Sequence, residues 1–163
     1  MPLPILIIAI GNESRGDDAL APLLLRRLQA EGLPENVEVL EDFQLQIEHA
    51  ADLTGRELVL FVDAGMDTPA PFSFYRAHAD DGRTVFSHAL APGAVLATYA
   101  QVFGQAPPPA FILCLRGERF ELGEPLSPEA MQHMDAAMAF TQTLLCTATI
   151  GAWDAQSVSI AAH

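Results

Sequence analysis

Short runs of uninterrupted apolar residues alternate along this chain with longer stretches in which apolar residues recur at helical spacing. Every position is apolar at 5–10, 58–62 and 110–115, which is typical of strands buried on both faces of a parallel sheet. The stretches 18–30 and 89–103 predict amphipathic helices. This alternation predicts an α/β fold of three layers, a mostly parallel twisted sheet with helices on both faces.

Local signals add further elements to this pattern. A short strand is expected at 37–40 and a short helix at 46–53, and the alternating aromatics of 72–78 predict an antiparallel edge strand. The sequence Ser-Pro-Glu at 127–129 predicts the start of a last helix, because it supplies a cap, a proline at the first helical position and an early acid.

The regular pattern ends near Ala148, and the residues beyond it are expected to form a loose C-terminal tail. The chain has 163 residues, the length of one domain, and no linker or internal repeat divides it. We therefore predict a single α/β domain over 1–147, followed by a tail over 148–163.

The charge balance narrows the partners that this protein can bind. The formal net charge is −13, with only eight Lys and Arg residues in total, which argues against nucleic acid and anionic membrane surfaces. No apolar run approaches the roughly 20 residues that span a membrane, and the first run is too short for a secretory signal and has no preceding basic residue. We expect a cytoplasmic protein whose partner is neutral, basic or metal-bearing.

The two cysteines are predicted to be buried, unreactive thiols. Cys114 lies within an apolar run and Cys146 late in the last helix, and no Cys-x-x-Cys pair occurs. A disulfide between them is not expected in a cytoplasmic protein.

Candidate chemistry is concentrated where the first strand ends. The segment 5–18 reads ILIIAIGNESRGDD, and its glycines, Gly11 and Gly16, allow a sharp turn after the strand. Asp17 and Asp18 then fall at the start of the next helix, where the helix dipole favours the ionised carboxylate. Carboxylates at the carboxyl end of a buried strand indicate a metal-binding or catalytic site.

A second carboxylate is expected to meet Asp18 at this place. Ligands of doubly wound sheets bind beyond the carboxyl ends of the strands, and Asp63 directly follows the apolar run 58–62. If the strand order begins 2-1-3, Asp18 and Asp63 converge. His88, on the loop before the next helix, can then reach the same rim.

These three side chains predict a metal site, although a purely structural interpretation stays open. Two carboxylates repel one another unless a cation or a shared proton lies between them, and two oxygens with one imidazole suit nickel or zinc with coordination positions left open. The structural alternative is an Asp that caps a helix, an Asp that ends a strand and a surface His. Glu48 and His49 form a rival ligand pair.

Other catalytic motifs are missing from the sequence. The segment GNESRG is neither the GxGxxG of dinucleotide-binding proteins nor a phosphate-binding loop, because no Lys follows Gly16. Two Asp residues at the helix start would also repel a phosphate. The sequence also contains no GxSxG motif, which would indicate a serine nucleophile.

Taken together, these motifs resemble those of the hydrogenase maturation proteases, the endopeptidases that trim the C-terminal extension of the large subunit of [NiFe] hydrogenases. The resemblance covers about 5–145 and lies in the segments IGNESRGDDALAPLLLRRL, EDFQLQIEHAADL, LVLFVDA, SHAL and RGERFELGEPLSPEA. Two parts, QLQIEHA and FELGEPLSP, look most like the subgroup that serves bidirectional, NAD(P)-linked hydrogenases. Ala21 stands where the family usually has Gly, and this change is expected to alter packing only.

The resemblance implies roles for individual residues and a phosphorylase/hydrolase-like fold. It places the family's metal-binding and catalytic residues at Asp18, Asp63 and His88, with Asp17 as a second-rank candidate. We interpret the QLQIEHA segment, which contains the rival ligand pair, as the wall of the cleft.

The implied activity is that of a protease that recognises nickel carried by its substrate. A monomer with no nucleic-acid or membrane partner would remove the C-terminal extension of a nickel-loaded [NiFe] hydrogenase large-subunit precursor. Cadmium or zinc could replace the nickel as a surrogate ion. Two alternatives stay open: a nickel-checking chaperone that binds the precursor without cutting it, and a metal-dependent hydrolase of a small substrate.

Overall fold

Five strands form one mixed sheet within residues 2–79 and 91–158, the part of the chain that the computed structural model describes. In chain order the strands are β1 (Ile5–Ile10), β2 (Val37–Asp42), β3 (Leu58–Gly65), β4 (Phe72–Ala77) and β5 (Ala110–Arg116). The helices of the same residues are α1 (Leu20–Glu31), α2 (His49–Asp52), α3 (Pro92–Phe103), α4 (Pro128–Cys146) and α5 (Ile150–Gln156). A 3₁₀ turn at Gly16–Ala19 precedes α1.

The strand order is β2-β1-β3-β5-β4. Strands β2, β1, β3 and β5 are parallel, and β4 lies at one edge, antiparallel to β5. Ile5 lies opposite Val37 on one side and opposite Leu58 on the other, so β1 lies between β2 and β3. The predicted 2-1-3 order and the antiparallel edge strand are confirmed. The order reverses between β1 and β3, which is where a ligand site is expected in such a sheet.

Two hydrophobic cores lie on opposite faces of the sheet, because side chains alternate along each strand. Alternate residues of β1 that begin with Ile5 pack on the face covered by α1, α4 and α5. Those that begin with Leu6 pack on the other face, to which α3 contributes. All six residues of β1 are buried. This arrangement confirms the three-layer α/β fold and accounts for the uninterrupted apolar run.

Two strands extend further than their apolar residues predict. β2 was expected to end at Leu40, and β3 was expected to end just before Asp63. In the structure, β2 continues to Asp42 because it stays paired with β1. Asp63 pairs with Cys114, so it lies within β3 and not after it.

The helices also differ from the expected bounds. The helix predicted from residue 18 begins at Leu20, after the 3₁₀ turn, and the helix predicted at 46–53 is confined to four residues. The start predicted at residue 89 lies outside the described residues. α4 begins as predicted, with the Ser127 hydroxyl accepting a hydrogen bond from the Ala130 N–H over 3.1 Å.

The prediction of a loose tail after Ala148 is wrong for residues 150–158. They include helix α5, in which Trp153 is fully buried and its indole N–H donates to the Leu144 carbonyl over 2.9 Å. The Val158 N–H donates to the Phe74 carbonyl of β4 over 2.9 Å. This part of the chain therefore packs on the domain, and residues 159–163 lie outside the described ones.

Cys114 and Cys146 are both free thiols, as expected, but their surroundings differ. Cys114 is partly buried in β5, whereas Cys146 is exposed at the end of α4. The prediction of a buried thiol is therefore wrong for Cys146, because it lies on the solvent side of the last turn of α4, opposite the buried Leu144. Within the described residues, we find no helix with the length and hydrophobicity needed to cross a bilayer.

Candidate active site

Asp18 and Asp63 lie together at the carboxyl edge of the sheet. Asp18 belongs to the 3₁₀ turn that follows β1, and Asp63 lies near the carboxyl end of β3. Since Ala9 of β1 pairs with Val62 of β3, Asp63 is level with the end of β1. The negative charge of Asp18 raises the pKa of the Asp63 carboxyl group. The 3₁₀ turn that carries Asp18 also contacts β3, so both carboxyl groups lie at the same edge of the sheet.

Desolvation of its carboxyl group raises the pKa of Asp63 to about 7, although the residue as a whole is exposed to solvent. Protein atoms near the carboxyl group displace part of the water that would stabilise its charge. A hydrogen bond of 2.7 Å from the Ala64 N–H to Oδ1 lowers the pKa in part, and the charge of Asp18 raises it further. A cation bound at this place would stabilise both carboxylates.

The carboxyl group of Asp18 also has a raised pKa, because partial burial outweighs the Asn12 hydrogen bond and the positive charge of Arg15. The Asn12 N–H donates to Oδ2 of Asp18 over 2.8 Å. Among the residues that the structure describes, this is the one hydrogen bond that the carboxylate accepts. Within residues 2–79 and 91–158, its Oδ1 atom has no hydrogen-bond donor.

Two glycines shape the loop that carries Asp18. A Cβ atom on Gly11 would overlap the carbonyl oxygen of Asp18, so the chain can pass this close to the end of β1 only because the residue is glycine. Gly16 has a φ of +57°, and a Cβ atom there would overlap the carbonyl oxygen of Arg119. The two glycines thus position Asp18 against β1 and pack the 3₁₀ turn against the loop after β5.

Asp17 is fully buried, and hydrogen bonds occupy both of its carboxylate oxygens. The backbone N–H of Ser127 donates to Oδ1 and its hydroxyl to Oδ2, each over 2.8 Å. The backbone N–H groups of Glu118 and Arg119 donate to Oδ2 over 2.7 and 3.0 Å. Burial raises the pKa of Asp17, but these four hydrogen bonds outweigh it and hold the pKa below its usual value.

The second-rank interpretation of Asp17 as a metal ligand is therefore wrong. Its carboxylate binds the segment 117–127 to the 3₁₀ turn, directly beside Asp18. Sequence reasoning missed this role because the donors lie 101 to 110 positions away along the chain. The local sequence shows only an acid at the start of a helix.

His88 lies outside the described residues, so its role as a third ligand stays a prediction. In the rival pair, His49 is buried, its Nδ1 accepts a hydrogen bond from the Gln46 N–H over 2.8 Å, and its Nε2 lies 3.4 Å from Oδ2 of Asp42. These contacts favour a structural role for His49. Within residues 2–79 and 91–158, no three His, Cys, Asp or Glu side chains are arranged to hold a metal ion. Asp18 and Asp63 are the two predicted ligands that the structure brings together.

The fold of this chain is similar to those of several solved hydrogenase maturation proteases. The hydrogenase maturating endopeptidase HybD from E. coli matches with a TM-score of 0.72 at 21% identity, over 88% of this chain and 93% of that one. The [NiFe] hydrogenase maturation protease HycI from Thermococcus kodakarensis KOD1 matches with a TM-score of 0.70 at 22% identity, over 89% and 94%. HybD from Thermococcus kodakarensis matches with a TM-score of 0.64 at 20% identity, over 86% and 98%.

No protein-family model matches the sequence, and neither does any curated protein. At identities of 20% to 22%, the similarity to the solved structures is a similarity of fold. It confirms the fold that the sequence resemblance implied.

Proposed function

We propose that this protein is an endopeptidase that removes the C-terminal extension of a nickel-loaded [NiFe] hydrogenase large-subunit precursor. The observation that carries the proposal is the meeting of Asp18 and Asp63 at the reversal of strand order, where Oδ1 of Asp18 has no hydrogen-bond donor among the described residues. The motifs that carry the family resemblance and the shared fold support it. Together they favour a protease over the other hydrolases built on α/β sheets.

Nickel in this proposal belongs to the substrate. Asp18 and Asp63 each offer carboxylate oxygens to the ion, and His88 supplies the imidazole that the sequence predicts as third ligand. Two oxygens and one nitrogen leave coordination positions for the groups of the precursor that already hold the metal. A precursor without nickel lacks this contact and is not cut.

The ion can polarise the carbonyl of the scissile bond or activate a water molecule beside it. One of the two carboxylates, when it is not shared with the metal, can accept the proton of that water.

The direct test is intact-mass measurement after the purified protein is incubated with nickel-loaded and nickel-free precursor. We expect loss of the C-terminal peptide with the nickel-loaded form only. Asp18→Asn, Asp63→Asn and His88→Ala should each slow trimming by at least about a hundredfold. Asp67→Asn removes an exposed carboxylate near the end of β3 and is the charge-matched control. It should trim at the wild-type rate.

Urea unfolding of each variant shows whether lost activity reflects lost structure. Full trimming by the Asp18 and Asp63 variants would refute the site. Tight binding of the nickel-loaded precursor without any change in mass would select the chaperone alternative. Turnover of small amide or ester substrates with no precursor binding would select the small-substrate hydrolase.

A further inference from the structure

Large apolar side chains protrude from the same edge of the sheet that carries Asp18 and Asp63. Among the residues that the structure describes, the five most exposed are Phe43, Leu122, Val102, Met66 and Ile47, with exposed fractions from 73% down to 57%. All but Val102 lie on the loops that follow β2, β3 and β5. Because these strands are parallel, those loops share one edge. Exposed apolar residues gathered in this way are typical of a surface that binds another protein.

Loops that follow the strands form two recesses at this edge. One, of about 310 Å³, is lined by Glu41, Asp42 and Phe43 at the end of β2. The other, of about 440 Å³, is lined by Met66 after β3 and by Glu118, Arg119, Phe120, Glu121 and Glu124 after β5. In the strand order, the end of β1, which leads to Asp18, lies between β2, which leads to the first recess, and β3 and β5, which lead to the second.

Hydrogen bonds fix the loops that form both recesses. The carboxylate of Asp17 binds the N–H groups at 118 and 119, and the Gly123 N–H donates to the Ser14 carbonyl over 2.7 Å. On the other side, the Asp42 carboxylate accepts a hydrogen bond of 2.7 Å from the Phe43 N–H. A surface held in place before it meets a partner loses little conformational entropy on binding.

The charge around the apolar side chains indicates what kind of partner fits. Carboxylates line both recesses. Glu41 pairs with Arg26 and Glu118 with Arg116, whereas within the described residues neither Glu121 nor Glu124 forms an ion pair. The whole chain carries a net charge of −13. A partner segment that combines apolar and cationic side chains complements this surface, since opposite potentials favour encounter and fix orientation.

We infer that an extended, cationic segment of a protein partner binds across the ends of β2, β1, β3 and β5. Phe43 and Ile47 contact it on one side of the carboxylates, and Met66 and Leu122 on the other. Three strand spacings of about 4.8 Å separate β2 from β5, a distance of about 14 Å that roughly four extended residues cover. The inference rests on the proposed function, in which the occupant is the chain that leads to the scissile bond of the precursor.

The test measures binding and trimming with one variant from each side and one matched control. The probes are nickel-free precursor, which binds without being cut, and nickel-loaded precursor. Phe43→Ser and Leu122→Ser remove exposed side chains, so stability should be nearly unchanged. Val102→Ser removes an equally exposed side chain from the carboxyl end of α3, which leads to the opposite edge of the sheet.

We expect each of the two variants to weaken binding of nickel-free precursor by at least about tenfold. With nickel-loaded precursor, each should raise KM much more than it lowers kcat. Val102→Ser should match the wild type in both measurements. Wild-type binding should also weaken as NaCl rises from about 50 to about 300 mM, because cationic contacts are screened.

If Phe43→Ser and Leu122→Ser bind the precursor with wild-type affinity, the proposed binding surface is wrong. If binding does not depend on salt, the bound segment is not cationic. If trimming occurs but KM is unchanged in both variants, the proposed binding surface is wrong and the proposed protease activity is supported. If nickel-free precursor binds in the expected variant-dependent way but nickel-loaded precursor is never cut, the protease is wrong and the surface stands. Absence of both binding and trimming in the wild type would overturn both.

Discussion

Ser127 donates two hydrogen bonds to the carboxylate of Asp17, one from its backbone N–H and one from its hydroxyl, each 2.8 Å long. The same hydroxyl accepts a hydrogen bond from the Ala130 N–H and so caps α4. One buried carboxylate thereby connects the start of α4 to the turn that carries Asp18. The segment 117–127 is held between them.

We predict that Asp17→Asn lowers the free energy of unfolding by about 3 kcal/mol. The two carboxylate oxygens of Asp17 accept four hydrogen bonds. In the variant, an amide NH₂ group would replace one oxygen and would face N–H or O–H groups to which it cannot hydrogen-bond. Urea unfolding followed by circular dichroism measures the loss. The control is Asp135→Asn, an exposed carboxylate paired with Arg27, which should change stability by no more than about 0.5 kcal/mol. Equal stability of the two variants would contradict the structural role of Asp17.

Helix α5 depends on Trp153. The indole is fully buried, with its ring centroid 5.4 Å from that of Phe111 and 6.3 Å from that of Phe74. We expect Trp153→Ala to lower the free energy of unfolding by about 3 to 5 kcal/mol. Ile150→Ala, on the same helix but 42% exposed, should cost less than about 1 kcal/mol. Urea unfolding measures both losses. Equal unfolding free energies of the two variants would show that the tail is loose in solution.

The pair formed by Glu38 and Arg56 predicts a pH dependence of stability. Arg56 is 5% exposed in its side chain and donates to Oε1 of Glu38 over 2.9 Å. This hydrogen bond holds the pKa of Glu38 below its usual value of 4.5. The contribution is therefore complete above pH 4.5 and is lost as the pH falls through the lower pKa of the folded state.

Glu38→Gln tests this dependence. The difference in unfolding free energy between the wild type and the variant should be constant above about pH 5.5 and should shrink as the pH is lowered below 4.5. Because Glu38 is partly exposed, the plateau should be no larger than about 1 kcal/mol. A difference that grows on acidification would contradict the ion pair.

The two cysteines should differ in reactivity. Burial raises the pKa of the Cys114 thiol to about 11, and the charge of Asp63 adds to this effect. At pH 8, the Cys114 thiol therefore stays almost entirely protonated and unreactive, whereas Cys146 is exposed. Iodoacetamide should therefore label one site in the folded protein and two in urea, as counted by mass spectrometry. Rapid labelling of folded Cys146→Ser would contradict this assignment.

Much of the sheet was predictable because its central strands are buried on both faces. The apolar runs of β1, β3 and β5 need no tertiary information to be recognised as strands. The meeting of Asp18 with Asp63 followed from a general rule about parallel sheets once the order 2-1-3 was assumed. His88 was placed at the same rim from its position before a helix, and the resemblance assigned it as a ligand; both stay predictions.

The parts that sequence reasoning missed depend on contacts between distant residues. Asp17 carries the same local signal as Asp18, and only its donors on the segment 117–127 distinguish the two. Helix α5 has seven residues, too few for a clear apolar period, and it is stabilised by the burial of Trp153.

Asp17 and Asp18 are neighbours in the chain, yet one is enclosed by main-chain donors and the other adjoins the second carboxylate of the site. Inserting or deleting a single residue between Gly11 and Gly16 would move Asp17 away from its main-chain donors and Asp18 away from Asp63. Homologous proteins that keep this chemistry are thus expected to vary the identities of residues 13–15 while conserving their number. The length of this turn is as strict a requirement as the acids that follow it.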